Sequence, residues 1–509
     1  MNELLSNLSE GFGAALTPSN LLYGLVGVLL GTAVGVMPGL GPAVAISVLL
    51  PLTFGLDPVS AFIMFGGIYY GAMYGGSITA ILVNTPGSAS AAVTTFDGHP
   101  LAKKGRGGAA LLVAMIGSFV GGTFATAMLM LSAPSLVDAA LRFGPAEYFA
   151  LMLLALVLVA SVGNSTLAKS VFATLLGIGI GFVGLDLQTG VPRLTLGLPD
   201  LYSGVNVVLA AIGLFAVGEA FWIAGGGGGG SESGDGEVAA RKGLFRGLLS
   251  GAEWVRAGWA WARGTLVGFF VGILPGSGGT LASFMAYGIE KRVSRVPDSF
   301  GTGVVEGVAA PEAGNNAAAG GSMVPLLALG IPGSATTAVM LVAFQMYGLQ
   351  PGPLLFENSG GLVWTLIASF YITNVLLVLI NLPLIRVWAK LLSLPSAAVY
   401  SVVLVFATVG AYSLKGSVGD VLITYALGAL AFVLRRFRFP VAPVLLGILL
   451  GPLIEQEFRR AVAISDGDFS VFVTRPLSAM FLAVAALSLL AGAVGQRKRV
   501  RARAAVVAD

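Results

Sequence analysis

Two near copies of one polar cluster interrupt long apolar runs in this 509-residue chain: Asn84, Thr85, Pro86, Gly87 and Ser88 in "LVNTPGSAS" (82–90), and Pro332, Gly333, Ser334 and Thr336 in "LGIPGSATT" (329–337). Proline removes a backbone donor and glycine admits positive φ, so a helix cannot run undisturbed through either cluster. Free amides and hydroxyls at such breaks can hold carboxylate oxygens, and free carbonyls can hold Na⁺. Neutral ligands suit a protein that must also release its cargo. The competing reading is that these small polar residues only let helices pack closely.

A second pair of breaks, "GVMPGLGP" (35–42) and "GILPGSGG" (272–279), aligns Gly35 with Gly272, Pro38 with Pro275, Gly39 with Gly276 and Gly41 with Gly278. These blocks, Ser277 included, are candidate tips of re-entrant hairpins whose helix ends face an anion. An ordinary loop at the membrane surface is the alternative. A third block, "EGVAAPEAGNNAAAGGS" (306–322), offers Glu312, Asn315 and Asn316. Pro311 fits a first helical position, which would put Glu312 in the first turn, where the dipole favours a carboxylate. The surroundings are also apolar enough to enter a bilayer, where an ionisable group is a functional candidate. Glu312, Asn315 and Asn316 are therefore candidates for coupling to a proton or cation, while Glu306 reads as an interface residue.

Other chemistries find little support. The chain has no cysteine and one histidine, His99, which reads as a turn residue in the basic loop "FDGHPLAKKGRG". A metal centre lacks ligands, a serine hydrolase lacks a base and a Gly-x-Ser-x-Gly elbow, and "GSGGT" after Pro275 lacks the lysine of a P-loop. The expectation is a protein that is not an enzyme and has no cofactor beyond a co-transported Na⁺ or H⁺.

The elements that must position these residues are membrane helices. Hydrophobic residues make up 56% of the chain and charged residues 10%, against about 25% charged in soluble domains. The expected fold class is an all-α polytopic membrane protein with roughly 10–13 membrane segments, the lipid bilayer being its solvent. Uncharged stretches such as 11–56 and 313–356 must hold two helices or one broken helix, and simpler spans are expected near 109–134, 148–163, 166–187, 205–224, 362–385, 396–414, 419–434, 439–454 and 474–495. Those spans read as lipid-facing or packing scaffold.

A Gly-rich stretch from Gly225 to Gly243 divides the chain. The expected organisation is a first membrane half over 1–224, a linker and basic segment over 225–262, a second half over 263–496 and a basic tail over 497–509. The two pairs of aligned blocks indicate duplication, and broken helices in matching places point to a secondary transporter with its site between the repeats. An inverted arrangement is favoured over a parallel one. Basic residues in the tail, the linker and the 103–106 loop place those segments on the cytoplasmic side. No basic folded surface with interleaved aromatics suggests nucleic acid. The N-terminus lacks the basic region of a cleaved signal peptide, so the first apolar segment is expected to be retained.

The segments "MPGLGPAVAISVLLPLTFGLDPVSA", "GIYYGAMYGGSITAILVNTPGS", "FDGHPLAKKG", "EGVAAPEAGNNAAAGGSMVPLLALGIPGSATTAVML", "GLQPGPLLF" and "PVAPVLLGILLGPLIEQEFRRA" together resemble the large membrane subunit of the tripartite tricarboxylate transporter family. The resemblance implies a permease of the bacterial inner membrane, energised by an ion gradient and importing an organic acid such as a tricarboxylate. It implies two partners, a small membrane subunit and a periplasmic solute-binding protein. It also implies kinship with elevator transporters. The second copy reads Gly330-Ile331 where the first reads Asn84-Thr85, so the two clusters are expected to hold different things. A membrane sensor that binds the acid without moving it is the alternative function.

Overall fold

The computed structural model describes residues 2–37, 39–162, 166–186, 188–226, 249–276, 278–391 and 395–508. Pro38, Ser277 and most of the Gly-rich stretch lie outside the described residues. Among them, seven helices are long and apolar enough to cross a membrane: Pro18–Val36, Thr94–Ala140, Val207–Ala224, Pro353–Ile385, Ala397–Lys415, Val418–Arg436 and Pro476–Val494. Shorter apolar helices cover Pro42–Thr53, Pro145–Ser161, Leu167–Gly181 and Ala335–Met346. The span expected over 166–187 stops at Gly181, because Gly184 (φ 127°) opens a small antiparallel hairpin of β1 (Gly184–Leu185) and β2 (Pro192–Arg193).

The first half starts with α1 (Asn2–Ala15) and α2 (Pro18–Val36), then α3 (Pro42–Leu49), a 3-10 turn (Leu50–Thr53) and α4 (Pro58–Val83). The 8 residues of α3 rise about 12 Å, so this helix ends well short of the roughly 30 Å a bilayer core would need. Asp57 starts α4 by accepting the Val59 and Ser60 amides at 3.0 and 3.4 Å. Further along come α5 (Thr94–Leu101), α6 (Gly107–Ala140), α7 (Pro145–Val162), α8 (Leu167–Gly181), α9 (Val207–Ala211), a π-helical turn (Ile212–Val217) and α10 (Gly218–Ala224).

The second half runs α11 (Gly251–Ile273), α12 (Gly278–Val293), α13 (Glu306–Gly321), α14 (Met323–Leu329) and α15 (Ala335–Met346). It continues through α16 (Pro353–Leu391), α17 (Ser396–Lys415), α18 (Val418–Arg436), α19 (Ala442–Ile464), α20 (Val471–Thr474) and α21 (Pro476–Ala508). Pro311 lies inside α13 and not at its start, since the helix begins five residues earlier at Glu306. Glu312 is therefore mid-helix and buried, out of reach of a first-turn dipole, and the dipole explanation of its position is set aside.

Helices α4 and α13 form the centre. Every residue of α13 is buried, as is α4 from Ser60 to Leu82, which is why neither shows an amphipathic period. Glycine lets each take a close neighbour. A Cβ on Gly27, Gly31 or Gly35 of α2 would lie 2.3–2.4 Å from the carbonyl oxygens of Met64, Ile68 and Ala72 in α4. One on Gly264, Gly268 or Gly272 of α11 would lie 2.1–2.5 Å from those of Ala310, Gly314 and Ala318 in α13. Both pairs run parallel, since residue numbers rise together along each contact. Between the pairs the direction reverses: Ser77 meets Glu312, while Tyr69 meets Ser322, so α4 and α13 are antiparallel.

Candidate functional site

Each Pro-Gly-Ser cluster follows a helix stopped by one left-handed residue. Asn84 (φ 57°) ends α4, and Gly330 (φ 72°) ends α14. Asparagine is the non-glycine residue that tolerates this conformation best, so the pair expected to differ in chemistry is equivalent in backbone geometry. The chain then turns back across the central helices. The Gly87 amide donates to the Gly76 carbonyl at 3.3 Å, and a Cβ on Gly87 would lie 2.0 Å from the Gly35 carbonyl oxygen. Further along the chain the Gly276 amide donates to the Gly333 carbonyl at 3.0 Å, tying the Pro275-Gly276 break to a Pro-Gly-Ser cluster. Ser334 caps α15, accepting the Thr337 amide at 3.2 Å while its own amide donates to Thr337 Oγ1 at 2.8 Å.

These breaks meet at a cavity of about 350 Å³, within the size range of small-molecule sites. Its wall includes Gly39 and Gly41 of the first tip, Gly278 of the second, Pro86, Gly87 and Ser88 of one cluster, and Ser334 and Thr336 of the other. The N-terminal residues of three helices are on the wall: Pro42–Val44 of α3, Gly278–Thr280 of α12 and Ala335–Thr336 of α15. Helix N-termini present unpaired amides and a positive partial charge, the arrangement that receives anions. Hydroxyls add to it. Ser88 and Ser90 Oγ atoms are 2.9 Å apart, and the buried Tyr69 hydroxyl lies 3.4 Å from both Ser322 Oγ and Ser334 Oγ.

Several expected residues stand elsewhere. Asn84, Thr85, Pro275, Gly276, Pro332 and Gly333 are outside this lining. Asn84 instead borders a second, more open cavity of about 630 Å³ with Thr95, Phe96, His99, Pro100, Lys103 and Lys104. His99, expected in a turn, is buried within α5, its Nδ1 3.1 Å from the Ile81 carbonyl oxygen. The neighbouring Asp97 is buried in the same helix. Its carboxylate accepts the amides of Gly301, Gly303 and Val304 at 2.8–3.0 Å and the Tyr287 hydroxyl at 2.9 Å, clamping the loop that leads into α13.

Behind the cavity, Glu312, Asn315 and Asn316 share a face of α13 and are fully buried. Glu312 accepts the Ser77 hydroxyl at 2.6 Å and the Thr94 hydroxyl. The Asn316 amide donates to Ser118 Oγ at 2.8 Å and to the Glu312 carbonyl at 3.2 Å. Among the described residues Asn315 has no hydrogen-bond partner for either side-chain atom, and its Oδ1 lies 2.5 Å from where a Cβ on Gly279 would be. A buried carboxylate that accepts two hydroxyls, with the Asn315 amide behind the lining residue Gly279, offers oxygen ligands to a small cation or a site for a proton. No group of three or more His, Asp or Glu that could hold a metal ion occurs among the described residues.

Sequence reasoning missed the cavity's charged pair. Glu219 of α10 and Arg435 of α18 line it and form an ion pair. The readable signal is Glu219 itself, an ionisable residue inside the apolar run 205–224, which otherwise reads as scaffold. Glu306, expected at the interface, is buried and paired with Arg256 at 2.9 Å.

A polytopic helical membrane protein with broken helices converging on an internal, anion-compatible cavity is the class these features define. The profile described as the Tripartite tricarboxylate transporter TctA family matches residues 21–446, and the chain belongs to that family, the large membrane subunit of a three-part transporter. It is 46% identical over 484 residues, 95% of each chain, to an uncharacterised 52.8 kDa protein in the TAR-I ttuC′ 3′ region of Agrobacterium vitis. It is also 46% identical over 215 residues to an uncharacterised protein in the TAR-II ttuC′ 3′ region of the same organism, covering 42% of this chain and 89% of that one. No solved structure matches the chain.

Proposed function

We propose that this permease subunit imports a tricarboxylate or related organic acid across the bacterial inner membrane, together with Na⁺ or H⁺, by alternating access. It works with a small membrane subunit and a periplasmic solute-binding protein that delivers the acid. The observation that carries the reading is the convergence of Pro-Gly breaks from both halves, with three helix N-termini, on one cavity of about 350 Å³. The substrate's carboxylates occupy those amides and the hydroxyls of Ser88, Ser334 and Thr336. Glu312, Asn315 and Asn316 take the coupling cation from the other side of the wall.

Matching glycine contacts in α2/α4 and α11/α13, and the antiparallel course of α4 against α13, support two inverted halves. The small moving unit would then be the pair of broken-helix regions around the cavity. The deciding measurement is uptake of radiolabelled citrate and other organic acids into proteoliposomes holding the membrane subunits, with the binding protein outside and a Na⁺ or H⁺ gradient imposed singly. Uptake should follow one gradient. Uptake indifferent to both would sink the coupling claim, and binding without any flux would favour a sensor.

A further inference from the structure

Among the cavity's lining residues, Glu219 and Arg435 are the charged ones, and neither belongs to a Pro-Gly block. Their helices touch through small residues: a Cβ on Gly218 would lie 2.6 Å from Ala431 Cβ, and one on Gly428 would lie 2.4 Å from Val217 Cγ1. The close approach sets Glu219 Oε2 on Arg435 Nη1. Glu219 also reaches the first hairpin tip, where a Cβ on Gly39 would lie 3.0 Å from Glu219 Oε1 and 3.4 Å from the Tyr400 hydroxyl. The acid is deep and the base is not, with side-chain exposures of 6% and 25%.

We propose that Arg435 binds a carboxylate of the transported anion, and that Glu219 is the internal carboxylate that holds its guanidinium while the cavity is empty. The inference rests on the transport reading above and adds a residue that the Pro-Gly blocks do not supply. A guanidinium turned into a partly dehydrated cavity needs a counter-charge. Its five N–H donors match carboxylates in a fork, and the pair with Glu219 is made through Nη1. An incoming carboxylate is chemically the same as the Glu219 side chain, so it can join or displace it without leaving the base unpaired. The helix N-termini and the Ser88 and Ser334 hydroxyls then receive the remainder of the anion. One carboxylate cannot satisfy both ends of this arrangement, so the site prefers molecules carrying two or more.

The test is calorimetric titration of the purified full-length protein in lipid nanodiscs with citrate, succinate and acetate. The wild type should bind citrate or succinate at least about tenfold more tightly than acetate. Glu219→Gln, which removes the competing carboxylate, should tighten binding of the polycarboxylate. The double variant Glu219→Gln/Arg435→Gln removes both charges together and leaves none buried alone; it should weaken polycarboxylate binding at least about tenfold and abolish the preference over acetate. Arg435→Lys keeps the charge and loses the fork, and should give an intermediate affinity even if the double variant fails to fold. Wild-type affinity and preference in the double variant or in Arg435→Lys would overturn the role of Arg435, and an unchanged affinity in Glu219→Gln would overturn that of Glu219. A wild type that binds none of the three acids would instead overturn the transport reading along with this one.

Discussion

Glu312 has hydroxyl donors from Ser77 and Thr94 and lies in a wholly buried helix. A carboxylate in such a place is costly even when hydrogen-bonded, and a residue of this kind inside a membrane segment marks a functional candidate. Glu312→Gln keeps the shape and removes the charge, so it should leave a folded protein whose substrate uptake no longer responds to the ion gradient; proteoliposome flux with and without the gradient reads this. Asp97 has a different task. It binds three loop amides and a tyrosine hydroxyl, and hydrogen bonds to charged groups are worth about 1.5–3 kcal/mol each when net. Because bonds to one carboxylate are not additive, Asp97→Ala should lower stability by about 3 kcal/mol or more, measured as a fall in melting temperature in detergent with the fold otherwise retained.

At the scale of elements, the two glycine contacts are the firmest expectation. A methyl on Gly35 or Gly272 would meet a backbone carbonyl at 2.3 or 2.5 Å, and a carbonyl locked in a helix cannot rotate away. Gly35→Ala and Gly272→Ala should each cost about 3 kcal/mol or more by forcing the paired helices apart. Gly258, in α11 with nothing within 4 Å of its missing Cβ, is the control: Gly258→Ala should be neutral or stabilising by up to about 1 kcal/mol. Recovery of monodisperse protein and its melting temperature would separate the two classes. The breaks themselves were legible because proline and glycine act on the local backbone, whatever the tertiary setting. That is why Gly39, Gly41, Gly278, Ser88 and Ser334 could be named from sequence and stand on one cavity wall. The partners were not legible. Ser77 and Thr94 look like ordinary helix residues until α13 brings Glu312 to them, and Glu219 meets Arg435 across 216 residues of chain. Asn84 has a second role that its amide side chain did not advertise, because its backbone supplies a left-handed cap.

At the scale of the whole molecule, a charged cluster joins the loop between α8 and α9 to the end of α19. Asp186 pairs with Arg193 and Arg459 at 3.1 Å each, and Glu455 bridges the same two arginines. The Thr189 and Gln188 amides, with help from both arginines, hold the Asp186 carboxyl down at about 2, below its ordinary range near 3.9. Because the folded value is the lower one, Asp186 contributes stability that is complete above about pH 4 and is lost as pH falls towards 2. Acid should loosen this loop in that window, seen as faster proteolysis between 188 and 206, and Asp186→Asn should remove the pH dependence. The Glu219–Arg435 pair has an electrical meaning as well. An acid and a base locked together sum to zero, so moving them with an empty cavity does no work against the membrane voltage. Once a substrate carboxylate joins them, each added charge carried across is worth about 2.3 kcal/mol per 100 mV. In the alternating-access cycle proposed above, this pair would add no voltage dependence to the return of the unloaded site, and would leave the membrane potential to act through the charges that load it.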